Sequence, residues 1–305
     1  SSSAASDVYK RQYLDALEKE MTQCKEWLAG KQMVSVYVGG GTPTSLSEEQ
    51  FERLMAMTEK YLPMEQSKEF TVEAGRPDSI TEGKLRSMKT HGVTRISINP
   101  QSMKEHTLEL LGRKHTVEEI REKFMLARTL GFDNINMDLI AGLPEETLED
   151  FKETLREVEA LKPDSITVHT LVIKRASRLR KEQLEQGGEM REEDACIEPM
   201  QKEAEQFCRV HGYEPYYMYR QKNKAHTTRN TNQENVAYAK PGKECLYNIF
   251  IMEELQSILA LGSGGSSKIV FPEENRMERV ENVKSVDDYI GRIDEMIRRK
   301  KESWR

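Results

Sequence analysis

Three glycines in a row, Gly39, Gly40 and Gly41, followed by Thr42, Pro43 and Thr44, end the β-branched run V-S-V-Y-V. Glycine permits backbone torsions that other residues resist and lets main-chain groups approach a ligand closely. A dinucleotide fingerprint would need G-x-G-x-x-G opening a helix, but Thr44 stands at the third glycine position and a proline intervenes. By itself the segment is equally compatible with a glycine-rich turn that serves only packing. Polar residues recur at the ends of the next β-branched runs: Glu73 in F-T-V-E-A-G-R-P, Gln101 in R-I-S-I-N-P-Q-S and Asp138 in I-N-M-D-L-I-A-G-L-P. Polar groups at strand C-termini of a βα barrel face the active site, whereas inside a strand they are costly to bury unpaired. One shared ligand explains them all; singly, Glu73 or Asp138 could instead pair with Arg95 or cap a helix.

The elements that would position these residues follow from periodicity. Leu14, Leu17, Met21, Cys24 and Leu28 lie three and four apart, as on one helix face that ends at Gly30, and this puts Cys24 in the core. Strands are then expected at 33–38, 70–73, 95–98, 135–140 and 165–173, alternating with helices at 47–61, 81–91, 117–130 and 148–161. Ser47 with Gln50 fits a capping box, and Gly92 and Gly131 fit left-handed helix ends. The alternation predicts an α/β fold, an incomplete parallel (βα) barrel of TIM type entered after its first strand, with residues 33–38 at an open edge and a smaller C-terminal α+β domain behind it. We read residues 1–12 as a non-native leader, 13–183 as the partial barrel and 184–305 as the second, substrate-covering domain. The stretch 221–233, basic and poor in apolar residues, is expected to be a mobile loop, and Gly187–Gly188 a break between helices.

The 305 residues carry a net charge of −6, with charges of both signs interspersed, which suggests neither a nucleic-acid footprint nor a membrane patch. No apolar run approaches the roughly eighteen residues of a spanning helix and no secretory signal opens the chain, so a cytoplasmic setting is expected. The four cysteines, Cys24, Cys196, Cys208 and Cys245, include no C-x-x-C pair and imply neither disulfides nor a metal site.

The ordered set G-G-G-T-P-T, V-E-A, R-I-S-x-x-x-Q-S, L-G-R-x-H and N-x-D-L-I-x-G-L-P resembles the radical S-adenosylmethionine family of oxygen-independent coproporphyrinogen III oxidases, particularly its shorter Gram-positive branch. The resemblance runs from Tyr13 over nearly the whole chain and includes P-D-S-I-T-V-H-T-L and L-G-S-G-G-S-S-K. It implies that Gly40, Gly41 and Thr42 lie against the methionine end of S-adenosylmethionine and that Glu73, Gln101, Arg113 and Asp138 complete the pocket. It implies further a [4Fe–4S] cluster, an electron donor protein, and a porphyrinogen substrate whose propionates are oxidatively decarboxylated to the vinyl groups of protoporphyrinogen IX. Lys174, Arg175 and Arg178 would meet the substrate carboxylates, with Arg220 and Lys222 as further candidates, unless they form only a solvated basic face. A haem-binding chaperone of the same family, or another radical enzyme such as a methyltransferase, would carry similar motifs. The sequence departs from the commoner pattern in E-A-G-R-P, in N-P-Q-S and at Ser266, and it holds no C-x-x-x-C-x-x-C loop for the cluster.

Overall fold

The computed structural model describes residues 2–170, 193–221, 233–254 and 256–304. Contacts divide the chain into two compact units, one made of Ser1–Val72, Glu82–Thr94 and Cys245–Arg305, the other of Glu73–Thr81 and Arg95–Glu244.

The first unit opens with α1 (Ser2–Met21) and the short α2 (Cys24–Trp27). The stripe Leu14, Leu17, Met21 and Cys24 is buried as its spacing predicts. The helix extends back beyond Tyr13 to Ser2, and two side-chain bonds tie this extension down: Lys10 Nζ donates to Ser45 O at 2.7 Å, and Gln50 Nε2 to Asp7 Oδ1 at 2.7 Å. Strand β1 (Ser35–Val38) pairs in parallel with β2 (Glu69–Gly75) from Ser35↔Glu69 to Val38↔Val72. Between them lies α3 (Glu48–Tyr61), begun by the expected Ser47–Gln50 capping box, and α4 (Glu82–Thr90) follows β2.

The unit's remainder comes from the far end of the chain. Helix α9 (Leu246–Glu253), the antiparallel hairpin β8 (Ser266–Phe271) and β9 (Arg276–Glu281), α10 (Val286–Gly291) and α11 (Ile293–Ser303) pack here. Ala16 is buried with Tyr289, Ile293 and Met296, and Cys24 with Trp27, Ile269 and Trp304. A polar knot crosses this core. The Glu20 carboxylate, fully buried on the apolar stripe of α1, accepts from Gly262 N at 2.8 Å, Tyr289 OH at 2.6 Å, Asn282 Nδ2 at 2.9 Å and Lys300 Nζ.

The second unit holds β3 (Arg95–Gln101), α5 (Glu105–Leu110), α6 (Val117–Thr129), β4 (Ile135–Ala141), α7 (Leu148–Leu161), β5 (Ser165–Thr170), α8 (Glu193–Val210), β6 (Glu214–Gln221) and β7 (Gln233–Ala239). β3 and β4 pair in parallel, as do β4 and β5. Gly92 and Gly131 take the left-handed conformation expected of helix ends, with φ of 78° and 86°. Strand order is β1-β2-β3-β4-β5-β7-β6. The five-strand parallel series was legible in the sequence; its continuation by antiparallel β7 and β6 was not. These segments offered no strong alternation to set them apart from a separate lobe. β1 ends the order, at the predicted edge. Among the described residues no helix is long and apolar enough to cross a membrane.

Candidate functional site

Residues Gly39–Gly41 follow β1 and are exposed, with Thr42 half-buried beside them. Gly40 has φ +84°, a conformation that disfavours any side chain, and a Cβ built on Gly40 or Gly41 would meet nothing within 4 Å. Crowding from the described residues therefore does not require these glycines, whereas the positive φ at Gly40 does favour one. Behind the turn, buried Lys84 of α4 donates to Thr44 O at 2.6 Å and anchors it.

The other expected residues, Glu73, Gln101, Arg113 and Asp138, belong to the second unit. Gln101 ends β3, Glu73 and Asp138 lie within β2 and β4, and Arg113 follows α5, so the expectation of strand C-termini is met at Gln101 alone. Gln101 is the last residue of β3, opposite Leu139, where the register shifts after Ile98. Its φ is +70°, strained for a residue with a side chain, and such strain persists where the surroundings over-determine it, commonly at ligand sites. Asn99 ahead of it keeps a buried side-chain oxygen with no hydrogen-bond partner among the described residues.

Asp138 lies two residues after Asn136 on the same face of β4. Asn136 Nδ2 donates to Asp138 Oδ1 at 2.6 Å, while Asn136 Oδ1 accepts from Ser165 Oγ at 2.9 Å and Thr167 Oγ1 at 3.1 Å. His169 Nε2 stands 3.7 Å from Asp138 Oδ2. Burial would pull the His169 imidazole down, but Asp138, the Asn235 side chain and Glu73 outweigh it and raise its pKa. Arg95, the alternative partner for Asp138, instead donates from Nη2 to Ser165 Oγ at 3.0 Å.

After Glu73 the chain turns at Gly75, and Arg76 clamps Asp78 in a fork, Nε to Oδ1 at 3.0 Å and Nη2 to Oδ2 at 2.9 Å. Although burial opposes it, the guanidinium holds the Asp78 carboxyl below its usual range. Arg113 follows α5 and is half-buried, yet no carboxylate lies within ion-pair distance of it among the described residues. Burial and the Arg76 charge push its pKa down, partly offset by Asp78. His115, in the same L-G-R-x-H segment, is buried with neither ring nitrogen hydrogen-bonded among the described residues, its Nδ1 3.7 Å from Asp78 Oδ1, and burial lowers its pKa.

Reading the sequence missed His169, Asn136 and Arg76. The alternation S-I-T-V-H-T was the available signal, since it puts Ser165, Thr167 and His169 on one face, but the segment was read as one more buried strand. Lys174, Arg175, Arg178 and Lys222, and the glycine pair at 187–188, lie outside the described residues, as does most of the stretch read as a loop.

The described cysteines do not suit a cluster. Cys24 and Cys208 are buried with thiols pushed up to about 12 by burial, and Cys245 is buried with its Sγ 3.5 Å from Glu69 Oε1. Among the described residues no three His, Cys, Asp or Glu side chains are arranged to hold a metal ion.

Comparison with known proteins bears on the fold and the family. The chain matches the Radical SAM superfamily over residues 4–158. It is 43% identical over 285 residues to the oxygen-independent coproporphyrinogen-III oxidase-like protein HemZ of Bacillus subtilis, covering 92% of this chain and 55% of that protein. It is 28% identical to the heme chaperone HemW of Haemophilus influenzae, covering 88% of this chain and 64% of that one. The solved coproporphyrinogen III oxidase HemN of Escherichia coli superposes with a TM-score of 0.71 at 23% identity, over 95% of this chain and 64% of that chain, which establishes the α/β fold of an incomplete (βα) barrel. The chain thus spans about half to two thirds of the length of these relatives. The parallel βα series and the match of one superfamily to half its length make the chain a member of the Radical SAM superfamily, similar over nearly all of its length to the oxygen-independent coproporphyrinogen-III oxidase-like protein HemZ.

Proposed function

We propose that Gly40, Gly41, Thr42, Glu73, Gln101, Arg113 and Asp138 bind S-adenosylmethionine, and that the chain is part of a protein that oxidatively decarboxylates the propionates of coproporphyrinogen III to give protoporphyrinogen IX without oxygen. The observation that carries the first step is Arg113: a half-buried guanidinium with no carboxylate at ion-pair distance among the described residues, and with only Asp78 further off to offset burial, is a costly arrangement unless a ligand completes it. The carboxylate of an amino-acid ligand suits that role. Glu73 and Asp138 accept hydrogen bonds from ribose hydroxyls or the ammonium group, and the exposed turn at Gly40 and Gly41 meets the methionine end.

The Radical SAM superfamily uses S-adenosylmethionine with a [4Fe–4S] cluster. The residues here fit the first and not the second, so this chain's part is to bind and orient S-adenosylmethionine. An electron donor protein and a porphyrinogen substrate belong to the same proposal. A haem-binding role is the second reading, favoured by similarity to proteins named heme chaperone HemW over 88% of this chain.

Calorimetry with the 305-residue chain tests the site. Arg113→Gln should weaken S-adenosylmethionine at least about tenfold while leaving 5′-methylthioadenosine, which lacks the amino-acid carboxylate, unchanged. Equal loss of both ligands, or of neither, contradicts the assignment. A product assay on the longer, cluster-loaded protein then separates oxidase from haem carrier, because only the oxidase forms the divinyl product.

A further inference from the structure

Asp138 has a polar neighbour at each carboxylate oxygen, one a hydrogen-bond donor and the other an imidazole at ion-pair distance. Asn136 holds Oδ1 through a hydrogen bond of 2.6 Å. The orientation of that amide is itself fixed, since its oxygen faces two hydroxyl donors, Ser165 Oγ and Thr167 Oγ1, and its nitrogen must then face the carboxylate. Oδ2 is approached by His169 Nε2 at 3.7 Å. His169 is placed opposite Ile140 in the β4–β5 register, on the face that Asp138 shares. Its imidazole is half-buried, and Asp138, the Asn235 side chain of β7 and Glu73 of β2 together raise its pKa against the opposing effect of burial. Two carboxylates and an amide surround it, so the surroundings favour a cation that serves those carboxylates over a site for an anionic ligand.

We propose that His169 is a positioning residue for Asp138: with Asn136 holding one carboxylate oxygen, the imidazole orients the other, so that Asp138 presents a defined acceptor to a hydroxyl or ammonium group of S-adenosylmethionine. This rests on the cofactor reading above. His169 acts through Asp138 and makes no contact with the ligand of its own. The role explains why the polar face of β5, begun by Ser165 and Thr167, continues with a histidine beside Asp138.

A double-mutant cycle on the 305-residue chain tests it, with S-adenosylmethionine as the probe and calorimetric Kd as the readout. His169→Gln should weaken binding about fivefold, the upper range for a partly exposed ion pair, and Asp138→Asn at least as much. Combined with Asp138→Asn, the His169 change should cost nothing further, because the group it positions is gone. His169→Asn, shorter and less able to reach Asp138, should match His169→Gln, and thermal unfolding of each variant identifies any that have lost the fold. In parallel, the imidazole nitrogen resonances of His169 should move on Asp138→Asn and again on adding S-adenosylmethionine to the wild type. If His169→Gln binds like wild type, or costs as much in the Asp138→Asn background as alone, His169 does not act through Asp138 and the proposal falls while the cofactor assignment stands. If the wild-type chain shows no saturable S-adenosylmethionine binding, both fall together.

Discussion

Replacing Lys300 by methionine should unfold the first unit far more easily than the loss of one surface charge would. Lys300 and Glu20 are both fully buried, and the ammonium donates to Glu20 and to Asn282 Oδ1, the latter at 2.8 Å. Methionine fills nearly the same volume, so packing changes little. What remains is a buried carboxylate satisfied only by Gly262 N, Tyr289 OH and Asn282 Nδ2, with no opposite charge. Removing one partner of a buried pair typically costs about 3–5 kcal/mol. Adding Glu20→Gln to Lys300→Met removes the stranded charge and gives Asn282 Oδ1 an amide donor, so the double variant should recover roughly 2 kcal/mol. The readout is built in: the chain's two tryptophans, Trp27 and Trp304, both belong to this unit, and Trp304 Nε1 donates to Trp27 O at 2.7 Å. Tryptophan fluorescence in urea should show Lys300→Met lowering the midpoint by roughly 2 M. A shift below about 0.5 M, or a double variant less stable than Lys300→Met, refutes the reasoning.

The same fluorescence should report a pH effect from His91, whose Nε2 lies 2.7 Å from Glu52 and whose Nδ1 lies 2.6 Å from Glu59. Burial opposes protonation, but the two carboxylates raise the pKa above 6.5, so the stabilisation is complete below that value and lost as pH rises through the folded-state pKa; His91→Asn should flatten the profile. Gly142→Ala should destabilise the second unit by about 2–4 kcal/mol, because φ is +83° and the new Cβ would sit 2.6 Å from Ile197 Cγ1, and Ile197→Val should return part of it in denaturant melts. Anaerobic reconstitution of this chain with iron and sulfide should give no cluster absorbance and no 5′-deoxyadenosine on reduction; a stable cluster would overturn the reading of its cysteines.

The βα series was legible because each helix carries its own punctuation: Ser47 with Gln50 at the start of α3 and left-handed Gly131 after α6 show the elements directly. What stayed hidden depends on distance or on backbone conformation. Glu20 falls within an otherwise apolar stripe, and nothing nearby shows that its partners lie 242 to 280 residues away. Gln101 was a candidate from its place at a strand end, but its positive φ is not a property of glutamine and emerges only from the register shift in β3. His169 was readable in principle, since alternation assigns its face, yet its role depends on Asn136 and Asp138 being aligned beside it, which is a matter of register.

The long reach of Glu20 also bears on the order in which the chain can fold as it is made. Its partners Gly262, Asn282, Tyr289 and Lys300 leave the ribosome 242 to 280 residues after it, and at about 5–20 residues per second α1 waits on the order of ten seconds or more with a carboxylate among its apolar residues and nothing to receive it. The pairings of β3 with β4 and of β4 with β5 close over much shorter separations and can form during that interval. The nascent N-terminal helix is therefore the segment with most to gain from a chaperone, and early release of the chain before Lys300 would strand it.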